Sequence, residues 1–259
     1  GELGDERSTI EQCQFGGLDF TRVSSGASAE FAPLMNALQM PYEYKDVDHL
    51  FKVLDGDIGQ EVFDTFKDNN LVGITYLHPG SRNFFNSKKE IHTPADLAGM
   101  KIRVSNDPIM TGMVEALGAN PTVVAMGELY SALQTGVVDA AEQPIANYQA
   151  NAFPEVANNL ILDGHTLGAI QVVITDEAWD KLTPEQQDVL TEAGEYASQY
   201  NRKISEETEN KILDELKADG CNVVEVEDIT PWQDACKDVI EEATKDNKEL
   251  YQQILDMAN

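Results

Sequence analysis

Residues 97–144, LAGMKIRVSNDPIMTGMVEALGANPTVVAMGELYSALQTGVVDAAEQP, read as strand, helix, strand, helix, strand. Helices of about ten residues between short apolar strands require crossover connections, and so an α/β fold with parallel pairing. Arg103 interrupts the first of these strands. Ile102 and Val104 flank it, so its side chain points away from both. A guanidinium does not lose its proton, and burying one without an anionic partner costs several kcal/mol. Either the chain supplies a carboxylate, for which Glu142 at a nearby strand end is the candidate, or a ligand does.

The bulk properties narrow the options. A chain of 259 residues makes one large α/β domain or two lobes of about 100–150 residues each. Forty-six acidic residues against 18 basic give a net charge of −28, which disfavours nucleic acid and anionic membrane, both of which need a basic surface. No run approaches the roughly 18 apolar residues of a membrane span. GELGDERSTIEQ is polar and helix-like, so export is expected to rest on a leader absent from this sequence. Cys13, Cys221 and Cys236 show no metal spacing and read as small buried or half-buried thiols, with a Cys221–Cys236 pair as the alternative.

Along the chain, helices are expected over 5–14, 29–38, 47–54 and 58–69, with strands over 18–23 and 71–76 and an extended piece over 83–87 after an HPGSR turn. In the central stretch the strands fall over 101–104, 121–124 and 138–141. Two more follow over 160–163 and 169–175, separated by GHTLG, and a last over 222–226. From Thr183 to about Leu216 the chain stays helix-compatible behind a TPEQ capping signature. A helix of roughly 45–50 Å is too long for one small lobe and is expected to run along two.

Several blocks, in order, resemble the solute-binding proteins of tripartite ATP-independent periplasmic (TRAP) transporters. They are GLDF (17–20), RVSSGASAEFAP (22–33), GSRNFFNS (80–87), LAGMKIRV (97–104), LGANPTVVAMGELYSALQTGVVDAAEQP (117–144) and FPEV (153–156). The resemblance implies a two-lobed, periplasmic-binding-protein-like α/β clamp with mixed, mostly parallel sheets and a long helix bracing both lobes. The first lobe is expected to comprise residues 1–80 and 169–208, the second 81–168 and 209–259. Family members normally open with a strand, a helix and a second strand ahead of the GELGDER-like helix, and that opening is absent from this sequence. The family further implies a periplasmic or otherwise extracytoplasmic location, with or without a lipid anchor. It implies an organic-acid ligand (a uronate or aldonate, a sialate, a dicarboxylate or a keto acid) and delivery of it to membrane permease subunits. No cofactor and a monomeric protein are expected.

Residue by residue, Arg103 matches the family arginine that pairs with the ligand carboxylate. Arg82, in GSRNFF, matches a second arginine near the ligand in members that bind sugar acids. Gln143 stands where the family commonly has asparagine in an ENP motif, which keeps the amide but lengthens its reach. Met126 stands where an aromatic often walls the pocket. Outside the resemblance, Ser24 and Ser25 end a strand, where α/β loops meet ligands, or they cap the next helix. Asn147 and Tyr148 lie one turn beyond Gln143, and His165 in GHTLG is a pocket donor or a structural histidine. Arg82 has the alternative of a solvated turn residue, and Gln143 of a turn residue before Pro144.

Two rival functions are weaker. An enzyme acting on an organic acid lacks support, since no GxSxG, HExxH or paired catalytic carboxylates occur and the four histidines show no matched nucleophile. A ligand-sensing domain would share the binding chemistry and differ only in its partner.

Overall fold

The computed structural model describes residues 2–258. Among these, ten strands occur in chain order: β1 (Phe20–Ser24), β2 (Leu71–Leu77), β3 (Ser81–Asn86), β4 (Lys101–Val104), β5 (Asn120–Val123), β6 (Ala140–Pro144), β7 (Asn159–Leu162), β8 (Thr166–Leu167), β9 (Ile170–Thr175) and β10 (Asn222–Glu225). They form two sheets. The smaller has the order β1-β9-β2, and the larger β10-β7-β3-β6-β4-β5, with β8 beside β3. This is the two-lobed α/β fold.

The alternating stretch folds as its pattern requires. β4 pairs in parallel with both β5 and β6, and β10 pairs in parallel with β7. The expectation of mostly parallel sheets needs correction, because β3 and β9 run antiparallel to every strand they pair with. These are the two strands that follow directly when the chain passes from one sheet to the other, at 77–81 and 167–170.

His78 ties these crossings together. Its backbone N–H donates to Asn201 Oδ1 (2.6 Å), its Nδ1 donates to the Gly168 carbonyl (3.2 Å), and its own carbonyl accepts from Ser205 Oγ (3.1 Å). Asn201 and Ser205 belong to the 35-residue helix Pro184–Ala218, which is on the order of 50 Å long. Thr183 and Gln186 form its capping box with Pro184 at the first turn. Its first half lies on β2, where Thr75 Oγ1 donates to the Gly194 carbonyl (2.9 Å). Its second half sends Ile212 and Leu216 into the larger sheet's core. The long helix braces both lobes.

Three hydrophobic clusters fill the molecule. One lies under the small sheet and contains Val23, Leu50, Phe51, Phe66 and Val173. The other two cover opposite faces of the large sheet. Adjacent Phe84 and Phe85 on β3 point to opposite faces and enter different clusters, with Trp232 beside Phe84 and Phe153 beside Phe85. Both are fully buried, each contributing roughly 1.5–3 kcal/mol by leaving water; neither walls a cleft.

Other placements also differ from the sequence reading. The helix expected over 29–38 is a short helix, Ser25–Ala29, followed by a 3-10 turn at Pro33–Leu38, because Pro33 cannot donate within a continuous helix. Residues 209–259 do not stay together on the large sheet. Helix Thr230–Thr244 buries Trp232 and Cys236 there, but helix Lys248–Asp256 returns to the small-sheet core through Leu250 and Ile254. His49 Nε2 donates to the Ile254 carbonyl (2.7 Å) and anchors that return. Cys13, Cys221 and Cys236 are free thiols.

Candidate functional site

β3, β6 and β4 are neighbours in the large sheet, so Arg82, Glu142, Gln143 and Arg103 come together although 61 residues separate Arg82 from Gln143 in the chain. Phe84 stands opposite Glu142, and Asn83 opposite Gln143. By alternation along the strands, Arg82 and Glu142 share the Phe84 face, while Gln143 and Arg103 share the other.

The Phe84 face holds a closed charge network. Arg82, expected in a turn, lies on β3, and its guanidinium grips Glu142 with two bonds. Nε donates to Oε2, and Nη2 donates to Oε1 (2.8 Å). Glu142 is fully buried. Burial pushes its carboxyl up, but the Arg82 charge, the nearby His165 and the Arg82 hydrogen bonds outweigh this and hold it at about 2. His165 is equally buried, with Nδ1 donating to Asp163 Oδ2 (2.7 Å) and Nε2 3.6 Å from Glu142 Oε2. Burial pushes the imidazole down, yet the Asp163 charge, reinforced by Glu142, raises it to about 9, which favours the protonated form between two carboxylates. Asp163 also accepts from the Phe84 backbone N–H (2.9 Å) and the Tyr42 hydroxyl (3.4 Å). All these charges are answered within the chain.

The other face is different. Arg103 is 4% exposed. Its Nε donates to the Val124 carbonyl (2.8 Å), and among the described residues no carboxylate pairs with it. Burial lowers the guanidinium pKa, Glu142 pulls it back, and the like charge of Arg82 lowers it further, but a guanidinium stays charged at neutral pH. Its two Nη groups remain as a fork suited to a carboxylate. Gln143 lies on the same face, its Oε1 accepting from Asn147 Nδ2 (3.3 Å) and its Nε2 lying 3.8 Å from Met126 Sδ. Met126, 38% exposed, is the open side of this group. Gln143, Asn147 and Met126 therefore form one cluster, on the sheet face that Arg103 shares.

Four other expected site residues make contacts of their own within the chain. Tyr148 is buried in the Phe85 cluster, where its hydroxyl donates to the Ala157 carbonyl (2.7 Å). One position beyond Asn147, the helical turn directs it into the core. Ser25 is buried, its Oγ donating to the Ala169 carbonyl (2.9 Å) and accepting from Gln171 Nε2 (3.1 Å). Ser24 donates to Glu6 Oε2. His165 serves the Glu142 network from a fully buried position. The sequence reading weighed Glu142 against Arg103 and missed it as the partner of Arg82; Asp163 it missed entirely. Glu142 sits within the quoted EQP motif, which is a signal, whereas Asp163 had none.

The family model for bacterial extracellular solute-binding protein, family 7, matches residues 1–247. This chain belongs to that family of TRAP solute-binding proteins. It is 34% identical to the 2,3-diketo-L-gulonate-binding periplasmic protein of Escherichia coli, over 90% of this chain and 71% of that protein. A TRAP periplasmic solute-binding protein from Bradyrhizobium, solved in complex with α/β-D-galacturonate, superposes with a TM-score of 0.94 at 36% identity, over 99% of this chain and 86% of that one. One from Polaromonas, bound to D-erythronate, gives a TM-score of 0.94 at 31% identity, over 98% and 84%. Among the described residues, no helix of this TRAP protein is long and apolar enough to cross a membrane.

Proposed function

We propose that this chain captures a carboxylate-bearing small molecule, an acid sugar of the uronate or aldonate kind, between its two lobes. The observation that carries the reading is Arg103, a buried guanidinium whose fork has no carboxylate partner among the described residues. A ligand carboxylate would meet it with two parallel hydrogen bonds, and Gln143 would read a neighbouring hydroxyl with one amide group. Arg82 acts through Glu142 in holding the shape of the site. The similar proteins that bind galacturonate and erythronate support this class of ligand. The first lobe consists of residues 1–80, 169–208 and the returning helix Lys248–Asp256; the second holds the remainder. Closure of the lobes would exclude water and strengthen these bonds.

On this reading the protein works outside the cytoplasm and presents its closed form to TRAP permease subunits. The net charge of −28 slows the approach of an anion at low salt. Screening within about 8 Å at physiological ionic strength leaves short-range pairing dominant.

A thermal-shift panel of uronates, aldonates, sialic acid, dicarboxylates and keto acids tests the reading. A ligand at about 1,000 times its Kd adds roughly 4 kcal/mol, or about 8–16 °C for a chain of this size. A shift confined to acid sugars is expected. A cooperative melt that no carboxylate moves would count against it.

A further inference from the structure

A contact at the ends of β1 and β4 joins the two lobes directly. β1 of the small sheet leads into helix Ser25–Ala29, which carries Gly26 and ends beside Glu30. β4 of the large sheet leads through Asn106 and Asp107 into helix Pro108–Ala116. Ala27 and Ala29 pack on the small-sheet core, while Met110 and Met113 lie in the core on the Phe84 face. The two helices therefore belong to different lobes.

Asp107 caps its own helix, with Oδ1 accepting from the Ile109 N–H (2.8 Å) and the Met110 N–H (3.3 Å). The rest of its carboxyl lies against Gly26. A Cβ built on Gly26 would stand 3.0 Å from Asp107 Cγ and closer still to Oδ2. Gly26 is not among the residues of positive φ, so its backbone would accept alanine; what forbids a side chain is the other lobe. Beside this contact, Asn106 Nδ2 donates to Glu30 Oε1 (3.0 Å), and Arg7 Nη1 holds the other Glu30 oxygen (2.7 Å). Asp107 is 6% exposed.

We propose that Gly26 and Glu30 on one lobe and Asn106 and Asp107 on the other form the latch of the closed cleft. The latch rests on the binding reading above. It hangs three to four residues beyond Arg103 on the same chain segment, so a ligand carboxylate that fixes β4 also fixes the latch. Opening the lobes would separate Asp107 from Gly26 and hydrate its carboxyl. The missing Cβ at position 26 has no role in the open state. These are positioning residues, and they act on the ratio of closed to open protein, which scales the apparent affinity directly.

The test uses titration and stopped-flow binding with D-galacturonate, D-glucuronate and D-erythronate on the whole chain. Gly26→Ala is expected to weaken binding at least about tenfold, chiefly through faster dissociation, with the unliganded melting temperature nearly unchanged. Gly26→Ala with Asp107→Ser removes the obstructing carboxyl while keeping a helix cap, and should recover most of the loss. Asn106→Asp, at an exposed position, sets a carboxylate against Glu30 and should cost about two- to fivefold. Wild-type binding matched by Gly26→Ala and Asn106→Asp alike overturns the latch alone. So does a double variant no better than Gly26→Ala. A wild-type chain that binds none of the three acids overturns the binding reading, and the latch falls with it.

Discussion

Arg82 and Arg103 lie two strands apart in one sheet, on opposite faces, and the chain treats them differently. Arg82 finds Glu142, which His165 and Asp163 support from behind. Arg103 finds a single backbone carbonyl. A buried pair that is complete can be nearly neutral for stability, whereas a buried charge left alone is strongly unfavourable. On the proposed reading, Arg82 is part of the scaffold and the partner of Arg103 is the ligand. A residue type that marks a site by its presence is assigned to scaffold or ligand by whether its charge is answered.

Removing either member of the answered pair should have the largest effect. Glu142→Gln leaves Arg82 without its counter-charge, and a loss of about 3–5 kcal/mol is expected, read by denaturant or thermal unfolding of the unliganded protein. A variant as stable as wild type would make the network ornamental. On the other face, Arg103→Ala should weaken acid-sugar binding by about 1.5–3 kcal/mol, roughly 10- to 100-fold. An affinity unchanged in calorimetry would remove Arg103 from the site.

The network also predicts a pH dependence. His165 is raised from 6.5 to about 9, so its contribution is complete below 6.5 and is lost as the pH rises through 9. Glu142 is lowered from 4.5 to about 2, so its contribution is present above 4.5 and is lost as the pH falls through 2. Glu43, whose carboxyl burial pushes up, adds a separate decline with rising pH. His165 is therefore read as the difference between wild type and His165→Gln between pH 6.5 and 9. The wild-type melting temperature should fall more steeply, and parallel curves would show an uncharged imidazole. The smallest effect is expected at Gln143. Gln143→Ala removes one amide contact, about 1 kcal/mol or several-fold in affinity, with selectivity among acid sugars altered more than stability.

Much of this was legible in the sequence because it is local. The alternation over 97–144 encodes β4, β5 and β6, and the TPEQ cap and unbroken pattern encode the long helix. Arg103 announces itself because both its neighbours are apolar. What was not legible depends on contacts distant in sequence. Nothing near His165 says that Glu142 will approach it from another strand. Nor does helix Lys248–Asp256 reveal that its apolar stripe fits the first core and not the second. Tyr148 was misread because proximity in sequence to Gln143 is not proximity on the helix face, whereas Asn147, one residue earlier, meets the Gln143 side chain.

The central claim is that the charge of Arg103 belongs to the ligand. Arg103→Met, which keeps much of the side-chain length and removes the charge, tests it most directly. The account predicts an unliganded melting temperature equal to or above that of wild type, because an unanswered buried charge has gone, together with at least about a tenfold loss of D-galacturonate affinity in calorimetry. A melting temperature lowered by several degrees with affinity intact would contradict it, and would place Arg103 with Arg82 in the scaffold.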